Sequence, residues 1–394
     1  MMPSYYEFYS PVKIVSGLKA LENLPYELEH LGAVRPLIVS DRGVSQAGLT
    51  KFVFDAFSES AVSIGAVFDE VPPDSSLKVV TEAAAAFRAN RCDSIVAVGG
   101  GSVIDTAKGA NIVITEQSDD LAKFAGAELL KKPMKPLVVV PTTAGTGSEA
   151  TLVTVIKDAA RNVKMAFTSY HLMPNVAILD PRMTLTLPPR ITAATAMDAL
   201  THAVEAYVCL QKNPVSDAFA LSAIELIRDN LVKVVKDGKN VGGRLALANA
   251  ACLAGIAFSN SMVGMIHALG HACGGVAGIP HGVAMSIFLP HGLEYNLHKS
   301  GDHIARLLLP LAGRQIYAQT PPEGMPIKTI AAIRQLQEEL HQLAGLPRTL
   351  KEAGVASDML AQIAETAIGD GSVVFNPEEM DRDDALKVLQ KAYQ

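Results

Sequence analysis

Between residues 36 and 181 the chain alternates two textures. Short runs rich in Val and Ile, namely PLIVSD at 36–41, AVSIGAVF at 61–68, SIVAVGGG at 94–101, PLVVVPTT at 136–143 and NVAILDP at 175–181, are separated by amphipathic helical stretches. Strands of this kind with helices between them predict a parallel sheet covered on both faces. After NVAILDP the strand signals stop. From Leu187 onward long stretches rich in Ala, Leu, Glu and Lys follow helical spacing, and Pro188 and Pro189 mark the start of the first helix. The expected organisation is therefore α/β plus all-α, with a Rossmann-like parallel-sheet domain over residues 1–184 and an all-helical domain over residues 185–394. A chain of 394 residues is long enough to bury two such cores.

Composition narrows the partners. Hydrophobic residues make up 49% and charged residues 19%, the balance of a compact soluble protein. Lys and Arg (34) are outnumbered by Asp and Glu (40) and form no long run, so nucleic acid and an anionic membrane are poor partners and a small molecule is the expected one. Cys92, Cys209, Cys252 and Cys273 are widely spaced among apolar neighbours without a CxxC, which reads as buried thiols in a reducing, cytoplasmic compartment. The start MMPSYYEFYS lacks the basic beginning and apolar core of a signal peptide. The longest greasy stretch, Leu245 to Cys273, is broken by Asn249, by Ser259-Asn260-Ser261, and by His267 and His271 before it reaches a bilayer's span, so it is expected to form buried helix.

Two loops carry nucleotide-binding chemistry. In SIVAVGGGSVIDTAKG a buried strand runs through Gly99, Gly100 and Gly101 into a helix beginning near Ser102. Glycines let backbone approach a pyrophosphate, and the free N–H groups of the helix start favour its charge. The spacing is not GxGxxG, and a tight turn without a ligand is the plainer alternative. A second loop, PTTAGTGSEAT at 141–151, follows the next strand with five hydroxyl side chains and two glycines. Two such loops at the carboxyl ends of strands in one sheet favour a ligand. Asp41 ends the first clear strand, where an acid accepts hydrogen bonds from both hydroxyls of an adenosine ribose and repels a 2′-phosphate, favouring NAD over NADP. A solvated strand-end acid is the alternative, and the neighbouring Arg42 works against the preference.

The helical half carries different chemistry. In ITAATAMDALTHAVEAYVCL (191–210) the acids Asp198 and Glu205 and the imidazole of His202 interrupt an otherwise small and apolar run. Asp198 and His202, at i and i+4, share one helix face, and charges there need partners. Downstream, MIHALGHACGGVAGIPHGVAM supplies His267 and His271, again i and i+4, and His281 after a Gly/Pro turn. One carboxylate and three imidazoles suit a divalent first-row metal such as Fe²⁺ or Zn²⁺. Spacing alone leaves open which of the three histidines bind.

These motifs together resemble the iron-dependent (group III) alcohol dehydrogenases, a family that includes lactaldehyde reductases and 1,3-propanediol dehydrogenases. SDRGV (40–44), GGGSVIDTAK (99–108), PTTAGTGSE (141–149), LDPRMTLTLP (179–188), MDALTHAVE (197–205), HALGHACG from 267 and PHG ending at 282 carry the resemblance almost end to end. It implies the architecture shared with dehydroquinate synthase, with Asp198, His202, His267 and His281 as the metal ligands and His271 as a proton-relay group beside the substrate. It also implies that Gly100, Gly101, Ser102 and Asp105 hold the pyrophosphate region, that Thr142, Thr143 and Thr146 line the cofactor cleft, and that Lys164 reaches the ribose. Val155 and Met183 would pack near the nicotinamide half, and Asp41 matches the family's acid at the adenosine ribose. One departure is VPPDSS (71–76), where many members have an Asn-Pro pair touching the cofactor. Glu205 belongs to the motif without a metal role and is expected to be a buried partner for a neighbouring helix.

The implied reaction moves a hydride between NAD(H) and a short-chain primary alcohol, diol or aldehyde, with iron (Zn²⁺ accepts the same ligands) meeting the cofactor in an interdomain cleft. Thr151, Phe167 and Phe258 are expected to line the substrate pocket. Dehydroquinate synthase, a lyase of the same fold, needs a Lys/Arg cluster that the metal-bearing segments lack, and glycerol dehydrogenase resembles those segments less. The family resemblance implies a homodimer or larger homo-oligomer, with the tyrosine-rich start as an edge strand used in pairing.

Overall fold

The computed structural model describes residues 3–158 and 163–394. They divide into two compact units: Ser10–Thr186, which holds the sheets, and a helical unit of Leu187–Gln394 joined by the chain's first residues up to Tyr9. The expected boundary at 184/185 thus falls two residues later. The N-terminal residues belong with the helices because Tyr9 exchanges hydrogen bonds with Asn260 (2.7 and 3.2 Å) and Phe8 stacks on Phe219 with ring centroids 5.6 Å apart.

The α/β unit is built on a six-stranded sheet in the order β1-β9-β6-β4-β2-β3, where β1 is Lys13–Ser16, β2 Pro36–Val39, β3 Ala66–Phe68, β4 Ser94–Gly99, β6 Leu137–Pro141 and β9 Val176–Leu179. Every pairing in it is parallel. Successive strand residues serve opposite faces. Leu37, Val39, Ile95 and Ala97 pack into one apolar core, whereas Ile38, Val96 and Val98 pack into another. That is why these strands read as unbroken apolar runs. A second small sheet, β5 (Gly126–Ala127), β8 (Val163–Thr168) and β7 (Val153–Asp158), has β7 antiparallel to β8.

In the central sheet β4 and β6 are neighbours in register, Gly99 opposite Pro141. Both are parallel, so the loops that leave them emerge side by side, and the Thr142 N–H bonds the Gly99 carbonyl at 3.0 Å. The helix Gly101–Glu116 starts at the first loop.

The helical unit is organised round Pro189–Val208, which packs against the helices Pro214–Lys236, Val241–Ser259 and His281–Tyr295. Val241–Ser259 is long and apolar enough to cross a membrane by composition, yet it is a core helix of this unit. Its Arg244, itself buried, donates to Thr192 Oγ1 (2.7 Å) and to the Leu187 carbonyl (3.0 Å). The greasy stretch 245–273 is therefore two buried helices, the second being Met265–Ala277.

Candidate metal and cofactor sites

Three helices assemble a cluster of donors. Pro189–Val208 presents Asp198 and His202 one turn apart, and both are buried. Met265–Ala277 brings His267. Its start sits tight against other elements: a Cβ on Gly264 would lie 2.8 Å from Asn376 Oδ1 and 3.2 Å from Glu205 Oε1, so only glycine allows the approach. The third helix, His281–Tyr295, begins at His281 itself, after Gly278 turns the chain with φ of 70°.

One donor atom from each of Asp198, His202, His267 and His281 lies within 4.8 Å of every other. Asp198 Oδ1 is 3.2 Å from His281 Nε2 and 3.8 Å from His202 Nδ1. Asp198 Oδ1, His202 Nδ1 and His267 Nε2 are buried without a hydrogen-bond partner. Three orphaned polar atoms converging on one point would be costly in an ordinary core. They are the signature of a cation site, and one carboxylate with three imidazoles is a donor set that iron or zinc accepts.

The protonation states agree. Burial pushes His202 down to about 3 against the pull of Asp198, and burial with the neighbouring His281 and His271 holds His267 well below the ordinary imidazole range. Burial alone would raise Asp198, but its imidazole neighbours hold it below the usual carboxylate range. The cluster is an anionic oxygen among imidazoles, of which His202 and His267 are held neutral, the form in which these groups ligate.

Glu205, expected only to brace a neighbouring helix, does more. Its Oε1 accepts the Ile266 N–H at 2.8 Å, and its Oε2 takes a short hydrogen bond from His267 Nδ1, which leaves Nε2 as the ligating nitrogen. Burial raises its carboxyl to about 7. Phe258 lies flat on His202, ring centroids 4.4 Å apart. His271 stands next to the cluster, its ring 5.3 Å from that of His281.

In the α/β unit the two glycine-bearing loops touch. A Cβ on Gly100 would meet Thr143 Oγ1 at 3.2 Å, and one on Gly101 would meet Thr146 Cγ2 at 2.9 Å. Ser102 Oγ accepts the N–H of Asp74, and the Asp74 carboxylate pairs with Lys164 at 3.1 Å, so the VPPDSS departure reaches the predicted cofactor residues. Asp41 caps the helix Arg42–Gln46 by accepting from Val44 N–H at 2.9 Å, and Arg42 is engaged by Glu70 at 3.0 Å. Thr142 is buried and Val155 half-buried.

Four of the expected site residues have partners or packing within the α/β unit itself. Asp105 accepts from Thr154 Oγ1 at 3.1 Å, which braces the loops. Met183 and Phe167 are core residues of the α/β unit. Thr151 is also buried, receiving the ammonium of Lys108.

Lys108 gives no sign of its surroundings in the local sequence. It is fully buried, and its Nζ bonds Thr151 O (2.7 Å), Thr151 Oγ1 (3.1 Å) and Val153 O (3.0 Å). With Asp105 one turn earlier it clasps the segment after the second loop to the helix after the first. Burial lowers Lys108 to about 8, and raises Asp105 to about 6 and Glu149 to about 7.

A Rossmann-like unit with paired phosphate-compatible loops and a helical unit with a buried carboxylate–imidazole cage define a metal-dependent, nicotinamide-linked dehydrogenase. The comparisons make this specific. The model of the iron-containing alcohol dehydrogenases matches residues 11–181, and that of the C-terminal part of the Fe-containing alcohol dehydrogenase family matches residues 192–393. The chain belongs to the iron-containing alcohol dehydrogenase family. It is 37% identical over 379 residues to 1,3-propanediol dehydrogenase of Klebsiella pneumoniae, covering 96% of each chain. It is 34% identical to the NAD-dependent methanol dehydrogenase of Bacillus methanolicus, covering 98% of this chain and 99% of that one. The solved alcohol dehydrogenase from Oenococcus oeni superposes with a TM-score of 0.93 at 34% identity, over 99% of this chain and 100% of that one.

Proposed function

We propose that this NAD-dependent, iron-containing alcohol dehydrogenase holds its metal through Asp198, His202, His267 and His281 and interconverts a short-chain primary alcohol or diol with its aldehyde. The observation that carries the ligand assignment is the convergence of three buried, partnerless donor atoms. When bound, iron supplies a Lewis acid toward the alcohol or carbonyl oxygen, and NAD carries the hydride. The chain's own residues do the rest. Glu205 fixes the ring of His267, Phe258 offers an apolar wall beside His202, and His271 exchanges the hydroxyl proton with water. Gly100, Gly101, Ser102, Thr142, Thr143 and Thr146 form the cofactor cradle in this reading, with Asp41, Lys164 and Val155 at its margins and Asp105 supporting it from below. Relatives named for propanediol and methanol support a small, mostly neutral substrate.

The test is NADH oxidation with a panel of short aldehydes under anaerobic conditions, using chelator-stripped protein with and without Fe²⁺ or Zn²⁺. Turnover restored by metal in the parent and absent in His267→Ala is expected. Full activity and metal content in His267→Ala would sink the assignment.

We further propose a cytoplasmic homo-oligomer. Four buried, unbridged cysteines support a reducing compartment, and the position of β1 at the sheet edge supports pairing between copies. A monomer by sedimentation would remove the latter.

A further inference from the structure

The second histidine of the Met265–Ala277 helix has a carboxylate of its own. His271 Nδ1 lies 2.8 Å from Asp370 Oδ2, across 99 positions of chain. Asp370 is itself held. Its Oδ1 accepts the Ser372 N–H at 2.8 Å, capping the 3-10 turn Gly371–Phe375. That turn is fastened at its other end: the Phe375 carbonyl accepts from Leu210 N–H at 3.0 Å, and Asn376 Oδ1 accepts from Met265 N–H at 3.2 Å, at the start of the helix that carries His271. Each oxygen of Asp370 therefore has one task, and the turn cannot swing away without breaking several bonds. Although burial opposes the charge, hydrogen bonds from His271 and Ser372 keep Asp370 below the ordinary carboxylate range. An ionised carboxylate only accepts, so the shared proton sits on His271 Nδ1, and in the neutral ring Nε2 is the atom left to accept.

We propose that Asp370 is a positioning residue of the dehydrogenase reaction, holding His271 in the Nδ1–H tautomer so that Nε2 takes the proton of the substrate hydroxyl. The proposal rests on the reading of His271 as the proton-exchanging group. In oxidation the O–H bond breaks and its proton goes to Nε2. NAD, when bound, would accept the hydride given up by the carbinol carbon, and Nε2 then releases its proton to water. Reduction runs the same transfers backward. Asp370→Asn is nearly isosteric, still accepts from Ser372, and turns an N–H toward His271, which forces the other tautomer.

The test measures metal content, NADH affinity by fluorescence, and the single-turnover rate of NADH oxidation by propionaldehyde in the iron-loaded full chain. In serine proteases the analogous exchange lowers kcat by about 10⁴ through the wrong tautomer. Here Asp370→Asn is expected to keep its iron and to bind NADH within about twofold of the parent while the single-turnover rate falls by roughly 10²-fold. Formate added to Asp370→Ala is expected to restore about tenfold of the lost rate by supplying the missing carboxylate. A rate for Asp370→Asn within about threefold of the parent, loss of iron in step with activity, or no rescue by formate would each overturn the proposal. Failure of the underlying reading has a separate signature, the parent single-turnover rate in His271→Ala.

Discussion

A carboxylate steadies each histidine of the Met265–Ala277 helix, the buried Glu205 for His267 and the half-buried Asp370 for His271. For Glu205 this has a measurable consequence. Removing such a partner costs about 10- to 100-fold in metal affinity, so Glu205→Gln is expected to weaken iron binding in a chelator competition while NADH affinity stays unchanged. Unchanged metal affinity would reduce Glu205 to the helix brace that its spacing suggested. Asp198 and His202 were legible in the sequence because an i, i+4 pair of acid and imidazole stands out in an apolar helix, whereas the set of four came from the family resemblance, since spacing leaves open which of His267, His271 and His281 bind. The carboxylate partners of His267 and His271 were not legible, since Glu205 and Asp370 meet them across 62 and 99 positions of chain. Nor was Lys108, whose surroundings exist only once the two loops have come together. The buried charges near it predict a pH effect. Burial raises Glu149 from 4.5 to about 7, so the folded chain holds that proton longer than the unfolded one. Its contribution is present below pH 4.5 and is lost as pH rises through 7. Glu149→Gln stays neutral throughout, and its unfolding free energy is expected to exceed the parent's at pH 8, by on the order of 3 kcal/mol at most, with a correspondingly higher melting temperature and the difference closing toward pH 4.5. Equal melting curves at both pH values would contradict this.

Among the elements, the central strands declared themselves because both of their faces are buried. The pair β7 and β8 did not. β7 alternates half-buried and buried positions, and β8 exposes Val163, Lys164 and Ala166, so neither forms an unbroken apolar run. Of the apolar run at 61–68, only Ala66–Phe68 pairs in the sheet. Helix contacts place one sharp constraint beside the metal cluster. A Cβ on Gly282 would strike the Ala194 carbonyl of the Pro189–Val208 helix, a backbone atom with no room to yield. Gly282→Ala is thus expected to push the His281 helix away from Asp198, lowering both the melting temperature and the iron retained after desalting; overpacking of this kind costs about 1–3 kcal/mol. Full iron content in a stable Gly282→Ala protein would show that the two helices slide without disturbing the ligands.

At the scale of the molecule, the division into a sheet-bearing unit and a helical unit was visible in the change of pattern near residue 187, while the allegiance of Phe8 and Tyr9 is set by contacts with Phe219 and Asn260 that no local pattern announces. His202 Nδ1 and His267 Nε2, buried without a hydrogen bond, leave polar groups unsatisfied in the helical core. Added Fe²⁺ is expected to raise thermal stability logarithmically, by about 4 kcal/mol at a thousandfold excess over Kd, and Asp198→Ala is expected to abolish the dependence. A melting temperature indifferent to Fe²⁺ in the parent would contradict the cage.

The fully enclosed ammonium of Lys108 also makes the protein its own recorder of breathing. An acylating reagent reaches surface lysines at once but reaches this amine only in the moments when the Gly101–Glu116 helix lifts from Thr151 and Val153. The rate at which mass spectrometry finds that single side chain labelled is therefore a clock for the opening of the loop assembly, and slowing of that clock by NAD(H) would measure how firmly the cofactor keeps it shut.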